Sequence, residues 1–254
     1  MDKPREESSG EKRKWVFDSQ SKNTLSAKIA ISVLAAVICI ILLIICVYLI
    51  IPSIISDVAD RIDHSFAKRI FESTLVSPPP RESAETVFGQ DAQPSLKPRE
   101  CFAAALAENP DTVGRIMIDD IGIAYIVVQA KDNECYLDTG YQRTEGRAGA
   151  VFLDYRCEAG PPLAGHYILY GHNMKNGTMF HNLMDYKDMQ TFYDNRIIRF
   201  DTLYEDYSWE IFSAYITGTD FYYIKTEFSG DGDWLKFLLE IQKKSMFETN
   251  TVMT

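Results

Sequence analysis

The chain has 254 residues, of which 46% are hydrophobic, 24% charged and 12% aromatic, a balance that argues against wholesale disorder or a collagen-like repeat. A net charge of -10 and a pI of about 4.9 argue against a phosphate-backbone binder, because no basic surplus exists to release counterions. The mean hydropathy of -0.15 conceals an uneven spread of apolar residues.

Residues 1–26 are polar and charged and read as a short cytoplasmic tail. Residues 27–51 read as a transmembrane anchor. Within them, Ile29 to Ile51 is a run of 23 residues without a charge. At 1.5 Å per residue it reaches about 35 Å, enough for a hydrocarbon core of roughly 30 Å. It is longer than the apolar stretch of a signal peptide and, unlike a soluble core helix, has no polar face. The basic residues Lys12, Arg13, Lys14, Lys22 and Lys28 precede it, which favours the N-terminus inside. Residues 1–51 carry a net charge of +2 and the remainder -12, so an acidic domain of about 200 residues is expected outside the cytoplasm. Of the five cysteines, Cys39 and Cys46 lie in the anchor, and Cys101, Cys135 and Cys157 lie outside it. Three outer cysteines imply no complete disulfide framework, and the pairing of any two stays open.

Residues 52–100 read as a membrane-proximal helix and a stalk. Val58, Ile62, Phe66 and Ile70 recur at spacing four within a helix over 57–75. Ser77-Pro78-Pro79-Pro80, Pro94 and Pro98 then mark an extended spacer. Residues 101–254 read as the folded domain. A short helix over 101–108 precedes β-branched runs at 113–118 and 121–128, and further strands are expected at 149–154, 166–171, 197–200 and 209–217. Thr178 is a candidate cap for a turn through Leu183, and residues 188–193 read as helical. Trp234, Phe237, Leu238 and Ile241 share one face of a helix beginning near Asp231. Short strands with few long helices predict a mixed-topology β-barrel.

His172 is the first candidate for chemistry. An apolar strand, Tyr167-Ile168-Leu169, runs into Tyr170-Gly171-His172-Asn173 and then a polar turn. A histidine at a strand's end, beside a glycine that lets a substrate approach, is where a general acid/base would sit. A structural histidine at a loop mouth is the alternative. The spacings of His166, His172 and His181 match no common zinc pattern, so no metal and no cofactor is expected. His64 and His181 read as surface residues.

Leu169-Tyr170-Gly171-His172-Asn173-Met174, followed by Gly177-Thr178-Met179-Phe180 and Leu183, resembles the histidine region of class B sortases. Asn109-Pro110-Asp111-Thr112-Val113-Gly114-Arg115-Ile116, Asp132-Asn133-Glu134-Cys135-Tyr136-Leu137 and residues 149–156 resemble other segments of that family, in the family's order. The resemblance runs from about Asn109 to the C-terminus. It implies a mainly β fold with helices, a sortase-type β-barrel behind an N-terminal transmembrane helix. It implies a cysteine transpeptidase that cleaves an Asn-Pro-x-Thr-type sorting signal and joins a surface protein to an amine of the cell wall. The implied partners are sorting-signal-bearing surface proteins or pilin-like subunits, a peptidoglycan amine and membrane lipid, with no nucleic acid. The implied location is the plasma membrane of a Gram-positive-type cell, single-pass, with the C-terminal domain outside. His172 maps onto the catalytic histidine, and Tyr170, Asn133 and Leu137 onto substrate-contacting positions. A core role competes for Leu137.

The family's catalytic cysteine sits in a Thr-Leu-x-Thr-Cys strand downstream of the histidine, and an arginine follows it. No cysteine occurs after His172 here, and residues 247–254 resemble the segment before that strand. The resemblance therefore implies a barrel lacking its last strands, inactive alone and marginal in stability, since an open barrel leaves edges unpaired. The rival reading is a membrane-anchored, non-catalytic sortase-like module that binds peptides or proteins. Asn109-Pro110-Asp111-Thr112 itself has the form of a sorting signal, but Asn-Pro reads better as a helix end leading into the first strand.

Overall fold

A computed structural model describes residues 9–75, 97–161 and 165–249. Most of the expected stalk, residues 76–96, lies outside the described residues. The chain divides into two units, Met1–Ile55 and Ser56–Thr254. In the first, helix α1 (Ser9–Ile45) is followed by a π-helical turn, Cys46–Ile50. Every side chain from 27 to 51 is exposed. Among the described residues this helical stretch is the one long and apolar enough to cross a membrane.

The second unit is built on a six-stranded mixed sheet of order β4-β3-β2-β1-β5-β6. The strands are β1 (Thr112–Ile118), β2 (Ile123–Val128), β3 (Val151–Leu153), β4 (Leu169–Tyr170), β5 (Ile197–Thr202) and β6 (Asp206–Glu210). Only β2 and β3 pair in parallel; the other neighbours are antiparallel. A bulge between Thr112 and Gly114 lets β1 draw close to β5. A Cβ at Gly114 would stand 2.3 Å from the Asp201 carbonyl oxygen, so only glycine fits there.

Period-two alternation sends side chains to two cores, one on each face. Ile116, Ile118, Ile123, Val127, Val151, Leu153 and Phe200 face one side, with Tyr186 and Phe192 packed over them. Tyr186 belongs to a 3-10 helix (Phe180–Lys187) and Phe192 to α4 (Met189–Asp194). Ile126, Val128 and Phe152 face the other side, covered by Phe71 of α2 (Ile51–Leu75), by Phe102, and by Ala105 of α3 (Ala103–Glu108). Arg115 fastens α2 at its C-terminal end. Its Nη1 donates to the Thr74 carbonyl at 2.5 Å and to Thr74 Oγ1 at 3.0 Å, while its Nε donates to Asp201 at 2.8 Å. A cation is favourable at that end of a helix.

Leu169 of β4 and Trp209 of β6, at opposite edges of the sheet, line one apolar cavity of about 410 Å³. The sheet is therefore curled into a half-barrel. Helix α5 (Asp231–Lys244) closes the cavity with Trp234, Phe237, Leu238 and Ile241, the face read from the sequence.

Several local expectations are corrected. The strand expected at 209–217 is displaced: β6 ends at Glu210, and the following segment bonds to the chain after α5 instead. Met246 N–H donates to the Ala214 carbonyl at 2.8 Å, and Thr249 Oγ1 to the Phe212 carbonyl at 2.8 Å. In α2 the apolar residues Val58 and Ile62 are exposed, whereas Asp60 and Asp63 are buried. The carboxylates find backbone amides, which the helical stripe cannot reveal. Thr178 caps no helix; its hydroxyl donates to Asn176 Oδ1 at 2.7 Å. His64 is half-buried against Tyr125, with ring centroids 5.7 Å apart, and burial pushes its pKa down.

Candidate active site

His172 follows β4 by two residues, as the strand-end reading expects. Two backbone contacts hold it. Its carbonyl accepts from Phe180 N–H at 2.9 Å, and Asn173 bridges to Met179. Gly177, at φ +83, turns the chain between them. Asn173 Oδ1 lies 2.8 Å from His181 Nδ1, so His181 braces the same loop. Gly171 does not open a path for substrate. A Cβ there would meet the Phe180 ring at 2.6 Å, so the missing side chain makes room for Phe180.

The His172 ring is held by its Nε2, 2.8 Å from the carbonyl oxygen of Leu137. A carbonyl offers only lone pairs, so Nε2 carries the proton, and Nδ1 holds the lone pair when the ring is neutral. The Leu137 side chain is 44% exposed, so it is not a core residue. The sequence-derived candidates Leu137 and His172 are thus brought together, through the main chain of Leu137.

Tyr170 and Asn133 meet at a third residue that motif reading did not single out. Asp154 is fully buried just beyond β3. Its Oδ2 accepts from Tyr170 Oη at 2.8 Å and from Asn133 Nδ2 at 2.8 Å. Arg156 completes the arrangement with Nε to Oδ1 at 2.8 Å and Nη2 to Oδ2 at 2.7 Å. Burial alone pushes the Asp154 carboxyl up, but the Arg156, Tyr170 and Asn133 donors outweigh it and hold it well below the usual carboxylate range. Burial, together with the same carboxylate, pushes the Tyr170 hydroxyl far above its ordinary value. The polar ends of Tyr170 and Asn133 therefore serve this network. The Tyr170 ring stacks on Phe152 with centroids 5.0 Å apart, and Asn133 Oδ1 accepts from Tyr155 N–H at 3.0 Å. The signal for Asp154 was present in the sequence: a carboxylate ending an apolar run, with an arginine two residues on.

All five cysteines are free. Cys157 is buried, its Sγ 3.4 Å from the His166 carbonyl oxygen, and burial pushes its thiol up. That is the opposite of an activated thiolate. His166 sits among Phe228, Trp234 and Phe237, its Nδ1 2.7 Å from the Lys225 carbonyl oxygen, so its role is in packing.

Comparison with known proteins agrees with this geometry. A sortase domain model matches residues 116–237. Sortase B of Listeria monocytogenes is 39% identical over 142 residues, 56% of this chain and 57% of that protein. The chain thus spans little more than half the length of this curated relative. The crystal structure of a Bacillus anthracis protein similar to sortase B superposes with a TM-score of 0.65 at 38% identity, covering 76% of this chain and 85% of that one. A Staphylococcus aureus sortase B–substrate complex superposes at 0.59 with 36% identity, covering 62% and 72%. With the half-barrel, the strand-end histidine and these matches in agreement, the chain belongs to the sortase family, in its class B branch.

Proposed function

We propose that the protein is a class B sortase, a transpeptidase that cleaves an Asn-Pro-x-Thr-type sorting signal and passes the acyl group to an amine of the cell wall. The observation that carries this reading is His172, seated at the end of edge strand β4 with its tautomer set by Leu137. A cysteine thiolate adds to the scissile carbonyl, and the tetrahedral intermediate collapses with loss of the amine. His172 gives that amine its proton. The same ring then takes a proton from the incoming amine as it attacks the thioester, which regenerates the thiolate. A cation near the developing oxyanion lowers both barriers.

Three features support a nucleophile other than Cys157, acting beside strand β4. Cys157 is a buried thiol. Strand β4 pairs only with β3 among the described residues. The apolar cavity between β4 and β6 has room for further side chains. On this reading the buried Cys157 is not the nucleophile. The exposed apolar helix, with basic residues before it, supports a single-pass membrane protein with its N-terminus cytoplasmic and the catalytic unit on the outer surface. The surface proteins or pilin-like subunits that carry the signal and the peptidoglycan amine are its partners.

The nucleotide sequence after Thr254 tests this reading. An open frame encoding Thr-Leu-x-Thr-Cys and then arginine supports it. A stop codon at that point would favour the non-catalytic peptide-binding module.

A further inference from the structure

The segment that holds His172 is itself held from behind. Residues 136–150 fold back on themselves: Ala150 N–H donates to the Tyr136 carbonyl at 3.1 Å, Gly146 N–H to Asp138 at 2.8 Å and Gly140 N–H to Thr144 at 2.9 Å. The excursion carries the Leu137 carbonyl that receives His172 Nε2. Gly149 backs that carbonyl closely, and a Cβ there would stand 2.5 Å from the Leu137 oxygen. The tip of the excursion is grasped by α2. Asp63 Oδ2 accepts from Tyr141 N–H at 2.9 Å, and Asp63 Oδ1 from Gln142 N–H at 2.8 Å. One turn earlier, Asp60 Oδ1 lies 3.4 Å from Ala148 N.

Two glycines make the grasp possible. A Cβ at Gly140 would stand 2.5 Å from Asp63 Oδ2, and one at Gly146 would stand 2.3 Å from Asp60 Oδ1. Both carboxylates are buried. Burial, with the neighbouring Asp60 carboxylate, pushes the Asp63 carboxyl up despite its two amide donors and His64, so the charged form is kept there at a net cost.

We propose that Asp63, seconded by Asp60, is a positioning residue for His172, acting through the 136–150 excursion and the Leu137 carbonyl. Its bearing on catalysis rests on the sortase reading of His172. The path is contiguous: carboxylate to two amides, through a short hydrogen-bonded excursion, to one carbonyl and one imidazole. Helix α2 is then part of the site's machinery as well as a connection toward the anchor.

The test uses the full chain in detergent micelles, with hydrogen exchange and imidazole 15N NMR as readouts. In the wild type the His172 ring shows the Nε2–H tautomer. Asp63→Ala is expected to raise exchange at Tyr141 and Gln142 by about 10- to 100-fold, as the loss of charge-assisted bonds implies. It should also shift the His172 15N signals toward tautomer averaging while β1–β2 amides stay protected. Asp63→Asn, which keeps the shape and one acceptor, should give a smaller shift in the same direction. Gly140→Ala should reproduce the shift, and Asp63→Ala should abolish the extra effect of Gly140→Ala, because the clash partner is gone. An unchanged His172 signature in both Asp63 variants would overturn the proposal. Loss of protection across β1–β3 in both would also overturn it, by giving Asp63 a general structural role. A shifted signature combined with activity that survives His172→Ala in the complete enzyme would sink the functional reading and leave the mechanical link standing.

Discussion

Replacing Asp154 by alanine should be among the most destabilising single changes in the second unit. The carboxylate is fully buried and receives Arg156, Tyr170 and Asn133 together. Removing one partner of a buried pair costs about 3–5 kcal/mol, because the other charge is left uncompensated. Arg156 keeps the Ile224 carbonyl at 3.0 Å and the Tyr222 hydroxyl at 3.3 Å, and its side chain is 26% exposed. Those residual partners place the expected loss near the lower end, about 3 kcal/mol. For a unit of this size that corresponds to a fall in Tm of about 6–12 °C. The assay is urea denaturation of the full chain in micelles, followed by tyrosine and tryptophan fluorescence. A double-mutant cycle with Arg156→Ala adds the decisive measurement: the two losses should fall well short of additive, because they share one interaction. A loss below about 1 kcal/mol, or strict additivity in the cycle, would refute this account of the network.

Three further outcomes follow from the same structure. The Asp154 carboxyl is depressed in the folded state, so its stabilisation is full above the ordinary aspartate value of about 3.9 and fades as pH falls below it. The stability gap between wild type and Asp154→Asn should therefore narrow in denaturation series taken below about pH 4, and a gap that widens there would contradict the sign. Gly171→Ala should displace Phe180, whose ring a Cβ would approach to 2.6 Å, at a cost of about 1–3 kcal/mol, with altered His172 resonances as the local readout. Phe102→Ala should cost about 3–5 kcal/mol, since the ring is fully buried beneath the sheet with Arg99 and Arg115 stacked on it, and thermal denaturation would register the loss.

Much of the fold was legible in the sequence where the signal is local. The β-branched runs over Thr112–Ile118 and Ile123–Val128 mark strands, and the strand positions are close to those read from them. The apolar face of α5 is likewise visible at helical spacing. The position of His172 follows from a strand ending in a polar turn. What escaped is what distant segments decide. Nothing near Asp60 or Asp63 announces that amides about 80 residues away will bury them. The segment after Glu210 is apolar enough for a strand, yet its backbone partners come from beyond α5. Gly171 reads as an opening when considered alone, and its true neighbour, Phe180, comes from the far side of a turn. Asp154 was written plainly as a charge at the end of an apolar strand, but its significance appears only when Tyr170, Asn133 and Arg156 converge on it.

The half-barrel and the histidine lead to a single kinetic comparison. The complete gene product is assayed for cleavage of an Asn-Pro-x-Thr reporter peptide, as wild type and as His172→Ala. The predicted result is cleavage by the wild type and a loss of about 10²–10⁴-fold in kcat/KM in the variant, the range expected for a general acid/base. Cleavage by His172→Ala within about tenfold of wild type would contradict the assignment of His172 as the group that moves the proton.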